Sequence, residues 1–312
     1  MKIAVLTNPA ANNGKAGSKW QRIRDYALQE LEESSGEQVI EEKFFTTDLL
    51  KKLIELGVDH FISAGGDGSV HYLINSLIGL VGPENCSQFT IGAIGLGSSN
   101  DFLKPFKNKI QRIPVKIDPT NSSLVDIGVV EFDSPSGKRI KKYFIVNSGI
   151  GVTADANQLF NVGDGVIRWL KPRWVDGTII YTAIKTILSH RNKIAEIKYS
   201  GTDKSINLSN LAMIKVPFVS GSFRYDQLIN KDDGLLGLNY CEDMSRWELI
   251  KTLVDLSKGR FLRNGYTKRQ SALVKELELS ANDWIAVETD GEVELANNIK
   301  YSVIPKAINI LG

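Results

Sequence analysis

The chain has 312 residues, 42% hydrophobic and 24% charged, a composition that supports two domains with proper cores. Its formal net charge of +2 is too small to argue for a nucleic-acid partner, and no disulfide framework or zinc spacing follows from Cys86 and Cys241, the only two cysteines, which lie far apart in the sequence. No apolar stretch approaches the length needed to cross a bilayer. The short apolar run after Met1 reads as a strand and not a signal peptide.

Lys2-Ile3-Ala4-Val5-Leu6 reads as a first buried strand, which runs into the polar turn from Thr7 to Lys15 and then an amphipathic helix from about Gly17 to Glu33. That turn is not a P-loop, because the first glycine is missing and Ala16 follows Lys15; the lysine reads equally as a phosphate contact or as solvated. A strand from Val39 to Phe45 precedes Thr46. His60 to Ala64 is the next buried strand, followed by Gly65-Gly66-Asp67-Gly68-Ser69 and by Val70, Leu73, Ile74, Leu77 and Ile78 at helical spacing. Such a glycine run is either a tight turn or an anion cradle, in which backbone amides at a helix N-terminus meet phosphates unobstructed by side chains. Phe89 to Ile94 is a further strand, leading into Gly95-Leu96-Gly97-Ser98-Ser99-Asn100-Asp101-Phe102. Three loops therefore leave strands with similar chemistry, and in an open parallel sheet such loops gather where ligands bind. Asn100 and Asp101 also suit a helix cap.

After Phe102 the texture changes to strands: Ile113 to Ile117, Ser123 to Phe132, Lys142 to Asn147, Ile194 to Tyr199, Ile206 to Val216, Leu235 to Tyr240, Ala272 to Leu279, Trp284 to Thr289 and Glu292 to Leu295. Helices interrupt them at about Thr178 to Ser189 and Arg246 to Leu256, and Ala307 to Leu311 suits a strand returning to the first domain. The fold class expected is a doubly wound α/β domain over residues 1–115 and a strand-rich, β-sandwich-like domain over 116–312.

Together these motifs resemble the soluble lipid kinase family, the diacylglycerol kinase catalytic-domain superfamily that includes sphingosine and ceramide kinases. The residues that carry the resemblance are Asn8-Pro9, Gly65 to Ser69, then Gly97, Ser98, Asn100, Asp101 and Phe102, Asn147-Ser148-Gly149-Ile150-Gly151, Asp233-Gly234-Leu235-Leu236 and Asp290-Gly291-Glu292, in the family's order and rough spacing. Ser69 and Ser98 stand where the family usually has threonine, Gly95 replaces a proline, and His71-Tyr72 occupies the place of a frequent Asn-Glu pair, so no role is carried over to those two positions.

The resemblance implies an ATP- and magnesium-dependent kinase that phosphorylates a lipid hydroxyl, with diacylglycerol giving phosphatidic acid as the leading case. Gly65, Gly66, Gly68, Ser69, Gly97 and Ser98 would hold the triphosphate, with Asn8 and Asn12 in support and Thr46 as a weaker contact. Asp67 would hold magnesium, and Glu292 would be the base that takes the lipid's proton. A structural magnesium is implied at the Asp233 side chain with the carbonyls of Asn230 and Leu235, although calcium would fit the same oxygens and Asp233-Gly234 alone could be a turn. Asp290-Gly291 alone likewise reads as a hairpin turn that leaves Glu292 on the surface.

Between Ile167 and Val175, Trp169 and Trp174 alternate with Arg168, Lys171 and Arg173, which suits a lipid headgroup interface as well as tryptophans packed inside the domain. This segment matches the place where the family builds its lipid-binding cleft. The expected partners are thus a lipid substrate at a membrane surface and no nucleic acid, with a homodimer left open, and the expected location is the cytoplasm with transient visits to the membrane. Two rivals stand beside this reading: an NAD kinase-like phosphotransferase, which shares the Gly-Gly-Asp-Gly element, and a non-catalytic nucleotide- or lipid-binding protein, which the His71-Tyr72 departure would suit. Phosphofructokinase carries a closely similar glycine motif, but neither it nor NAD kinase accounts for Gly97 to Asp101 together with Asp290 to Glu292.

Overall fold

Buried parallel strands alternate with helices through the first third of the chain in a computed structural model that describes residues 1–43, 45–171, 173–262 and 267–312. The chain divides into two units, Met1–Ile127 with Pro305–Gly312 and Gly128–Ile304. The division falls beyond the 115/116 boundary read from the strand texture.

The first unit runs β1 (Ile3–Thr7), α1 (Lys15–Ser35), β2 (Ile40–Lys43), α2 (Thr47–Glu55), β3 (His60–Gly65), α3 (Asp67–Val81), β4 (Thr90–Gly95), then the short β5 (Asn108–Ile110) and β6 (Ile113–Lys116), with β7 (Ser122–Asp133) crossing into the second unit. Strands β2, β1, β3 and β4 are parallel neighbours in that order. Every residue of β1 and β4 is buried, as a sheet covered on both faces requires. Ala16, Trp20, Ile23, Ala27 and Leu31 of α1 share a core with Ile3, Val5, Ile62, Ala64 and Ile94, the alternate residues that one face of a strand presents. The free edge of β4 takes Asn309 and Ile310 in parallel register at its start and β6 in antiparallel register at its end. The strand expected from Val39 to Phe45 is β2, shorter at both ends, and Phe44 lies outside the described residues.

The second unit contains β8 (Arg139–Phe144), β9 (Asn147–Gly151), α4 (Val152–Val162), α5 (Gly165–Leu170), α6 (Val175–Ser189), β10 (Lys193–Tyr199), β11 (Thr202–Ile214), β12 (Phe218–Val219), β13 (Phe223–Arg224), β14 (Leu236–Glu242), α7 (Arg246–Ser257), β15 (Arg269–Val274), β16 (Glu276–Ala281), β17 (Ile285–Thr289) and β18 (Glu292–Leu311), whose last residues belong to the first unit. Its strands are antiparallel: β11 pairs with β10, β14 and β9, and β9 pairs in turn with β17. Phe144, Leu211, Met213, Leu238, Tyr240, Leu277 and Tyr301 lie in the core between them.

The run read as one strand from Lys142 to Asn147 falls across two, β8 and β9, and the segments read at Glu292 to Leu295 and Ala307 to Leu311 lie on the single long strand β18. Two further features depart from the strand reading. The run from Ala272 to Leu279 is two strands broken at Lys275, because β15 pairs with β14 whereas β16 pairs with β10 and β18. Residues 152–170, given no element by pattern, form α4 and α5; Ala154 is the one buried residue of α4, so no apolar stripe announces it. Both cysteines are free and buried, and burial pushes each thiol up to about 12.

Candidate active site

In the first unit the loops that follow β1, β3 and β4 leave the same end of the parallel sheet. They are fastened to one another through their backbones. Leu96 and Gly97 both donate their N–H to the Gly65 carbonyl, at 2.8 and 3.0 Å, and Asn8 donates its own to Ala64 at 2.9 Å. Gly66 and Gly97 are in backbone contact: a Cβ on Gly97 would lie 2.6 Å from the Gly66 Cα. The glycines here are therefore required first by loop-on-loop packing. Asn100, with a left-handed backbone (φ 51°), accepts from Gly97 N–H at 3.1 Å and donates to the Gly95 and Gly97 carbonyls. It braces the loop instead of facing outward.

Gly66 is the residue before α3, extended and without a side chain that could cap the helix. Gly68 and Ser98 are exposed, whereas Ser69 is buried and its Oγ accepts from the Asn8 amide at 3.0 Å. Asp67 sits in the first turn of α3, its Oδ1 accepting the Phe102 N–H at 3.0 Å. Asn12 reaches the Leu96 carbonyl only at 3.5 Å. The sequence left Lys15 open between phosphate contact and solvated side chain; the structure adds Lys19, one turn further along α1, whose Nζ donates to the Leu96 and Gly97 carbonyls at 3.3 and 3.2 Å. Burial first, then the nearby charges of Arg22 and Lys15, depress the Lys19 pKa.

Thr46 is engaged elsewhere: it is exposed and its Oγ1 accepts from Leu49 N–H as the cap of α2. His71 turns into the core, and Tyr72 is exposed, its ring 5.3 Å from that of Phe45.

In the second unit, β9 and β17 bring the Asn147 and Asp290 motifs side by side, with Ser148 opposite Thr289 and Gly149 opposite Glu288. Asp290 is buried at φ 46° and accepts three backbone N–H bonds, from Ile145 at 3.1 Å and from Val146 and Asn147 at 3.0 Å each. Its carboxylate is a structural clamp. Gly291 carries the turn (φ 99°), its carbonyl accepting from Asn161 of α4 at 3.0 Å, and Glu292 opens β18 on the surface.

A residue that sequence reasoning missed stands beside them. Glu288 is buried, accepts from Asn147 Nδ2 at 2.9 Å and from the Gly291 N–H, and its only sequence signal is a charge inside the all-buried strand Ile285–Thr289.

The oxygens of the Asp233 turn already hold a cation. Lys215 Nζ donates to the carbonyls of Asn230 and Leu235 at 3.0 and 2.8 Å and stands 3.8 Å from Asp233 Oδ1. The residues present therefore do not fit a divalent ion there. Among the described residues no cluster of three or more His, Cys, Asp or Glu side chains could cage a metal.

Trp169 and Trp174 are 58% and 62% exposed, so neither is packed inside the domain; Pro172 between them lies outside the described residues. The Arg173 guanidinium lies 4.8 Å from the Trp169 ring. Ile180, Ile184 and Leu188 of α6 are also exposed. A cavity of about 550 Å³ is lined by Ile150, Leu159, Lys185, His190, Trp284 and Leu295 among others. No helix among the described residues is long and apolar enough to cross a membrane.

The doubly wound unit with its three packed loops, followed by a β-sandwich-like unit, has the domain make-up of a kinase-like enzyme. Residues 2–130 match the diacylglycerol kinase catalytic domain, and residues 150–312 match the YegS C-terminal NAD kinase beta sandwich-like domain. The chain belongs to the diacylglycerol kinase family that joins these two domains. It is 26% identical over 264 residues to a Staphylococcus aureus (strain bovine RF122 / ET3-1) protein named "Putative lipid kinase", covering 81% of this chain and 77% of that one. A Staphylococcus epidermidis (strain ATCC 12228 / FDA PCI 1200) protein of the same name is 23% identical over 257 residues, 81% of this chain and 76% of that one. Among solved structures, one titled as a diacylglycerol kinase from Bacillus anthracis str. Sterne superposes with a TM-score of 0.67 at 16% identity, covering 99% of this chain and 96% of that one. Yeast NADH kinase complexed with NADH gives 0.51 at 10% identity over 100% and 83% of the two chains. Both structural likenesses concern the fold alone.

Proposed function

We propose that the protein is an ATP- and magnesium-dependent lipid kinase that transfers the γ-phosphate to a lipid hydroxyl, with diacylglycerol as acceptor and phosphatidic acid as product. The observation that carries this reading is the loop constellation of the first unit: Gly66 and Gly97 backbone to backbone, Asp67 tied to Phe102, and Lys19 bracing the Gly97 loop. Exposed Gly68 and Ser98 at the loop tips, with Gly65, Gly66, Ser69 and Gly97 behind them, suit a triphosphate at the α3 N-terminus. Asn8 holds the Ser69 hydroxyl in place, and Asn12 supports the same loops.

A single half-buried carboxylate suits magnesium that arrives with ATP, because this ion keeps waters and phosphate oxygens and needs few protein ligands. Bound there by Asp67, it would neutralise charge on the transferred phosphoryl group. Glu292 takes the proton of the lipid hydroxyl; that oxygen bonds to the γ-phosphorus, the bond from phosphorus to the β,γ-bridging oxygen breaks, and ADP leaves. Asp290 fixes the turn that presents Glu292, through its three backbone hydrogen bonds. The exposed tryptophans and their cations suit transient contact with headgroups at the cytoplasmic face of a membrane, and the cavity beside α4 and α6 is of a size that accommodates part of an amphiphile.

Transfer from labelled ATP with magnesium to diacylglycerol, sphingosine, ceramide, phosphatidylglycerol and NAD in mixed micelles tests the reading, with Asp67→Asn as control. Labelled phosphatidic acid that disappears in the variant is the expected result. Label on another lipid keeps the class and changes the acceptor, label on NAD alone replaces the class, and ATP binding without any product identifies a non-catalytic binder.

A further inference from the structure

Lys215 follows β11 directly, and its ammonium is buried: the side chain is 3% exposed. A buried ammonium has three N–H donors that must all be met, and a charge that must be balanced. Here two donors go to main-chain carbonyls, Asn230 and Leu235, and the Asp233 carboxylate, 22% exposed, lies alongside at 3.8 Å. The turn itself is closed by Asp233 Oδ1, which accepts the Leu235 N–H at 3.0 Å, and by Gly234 at φ 70°. These three oxygens form the donor set that a magnesium or calcium ion would use. An ammonium nitrogen 2.8 Å from one carbonyl and 3.0 Å from another takes up the ground such an ion would need. Like charge excludes the two from sharing it.

We infer that Lys215 is a built-in cation at this turn, standing in place of a divalent metal, so that the fold of the second unit is independent of divalent ions. The ammonium ties the end of β11 to the turn that starts β14, two strands already paired at Ile214 and Gly237. Its backbone is anchored as well, through Lys215 N–H to the Val146 carbonyl at 2.9 Å.

Thermal unfolding without nucleotide tests this apart from any phosphoryl transfer. The wild-type Tm should be the same in EDTA and in excess magnesium or calcium chloride, and titration calorimetry with either metal should show no site that Asp233→Asn removes. Lys215→Met, which keeps the length and loses the charge, should lower Tm by on the order of 10 °C in EDTA, as expected for a buried charged partner removed from its oxygens. Lys215→Ala, which also opens space, should recover part of its loss on addition of calcium, and Lys215→Ala with Asp233→Asn should not. A wild-type Tm that rises with magnesium or calcium and loses that response in Asp233→Asn would overturn the inference, even if neither Lys215 variant folds. So would a Lys215→Met protein as stable as the wild type.

Discussion

Gly97 and Gly79 differ by what a methyl group would meet. At Gly97 a Cβ falls 2.6 Å from the Gly66 Cα and 2.8 Å from the Asn100 Oδ1, so Gly97→Ala must push two backbones apart. Overpacking of this kind costs about 1–3 kcal/mol, and because the displaced loops carry the proposed phosphate contacts, ATP affinity should fall roughly tenfold or more for about 1.4 kcal/mol lost there. At Gly79, on the exposed side of α3, nothing lies within 4 Å. Gly79→Ala should raise stability by about 0.5–1 kcal/mol through helix propensity and leave ATP binding unchanged. Urea unfolding and equilibrium ATP titration of the pair check both signs. The glycine motifs are legible in sequence because so few residue types allow close backbone approach. Their partners are not: the match of Gly66 to Gly97, like that of Glu288 to Asn147, joins residues far apart in the chain, and no local pattern states whether a strand glutamate points inward.

Among the elements, α7 shows a boundary that local chemistry fixes. Ser245 accepts from the Glu248 N–H while Glu248 accepts from the Ser245 N–H at 2.8 Å, a reciprocal cap, and Lys268 adds a contact at 3.1 Å. The Ser245 hydrogen bonds, ahead of Lys268, hold the Glu248 carboxyl down to about 2. Because the folded value lies below the unfolded one, ~4.3, the stabilisation is present in full above the unfolded value and is lost as pH falls through the folded one. Glu248→Gln should therefore cost about 1 kcal/mol or less at pH near 7, since the carboxylate is substantially exposed and solvent screens it. The gap to wild type should narrow progressively between pH ~5 and ~1 in denaturant titrations. A gap that stays constant with pH would show that the cap, not the charge, carries the effect. Helices with a cap signal or an apolar stripe, such as α7 and α3, are readable in sequence; α4, with Ala154 as its one buried residue, is held by its neighbours and is not.

For the whole molecule, the alternation of strand and helix up to Gly95 makes the parallel order of the first unit readable, because each parallel connection needs a crossover helix. The strand order of the second unit is hidden, because antiparallel neighbours such as β9 and β17 come from distant parts of the chain. The proposed chemistry is divided between the units: phosphate and metal contacts lie in one, with Asp67, and the proton acceptor Glu292 opens β18 in the other. That division predicts two distinct kinetic failures. Asp67→Asn keeps the hydrogen bond to Phe102 N–H through its side-chain oxygen but loses the charge that magnesium needs, so transfer should fall below detection while Tm stays near the wild-type value. Glu292→Gln removes only the proton acceptor at an exposed position; kcat should fall by about 10²–10⁴, the usual worth of a positioned base, with ATP affinity unchanged in equilibrium titration. Steady-state rates with saturating lipid, set beside ATP binding measured without lipid, separate the two. Equal loss of ATP affinity in both variants would place Glu292 in nucleotide binding, and near-wild-type turnover in both would remove the division of labour altogether.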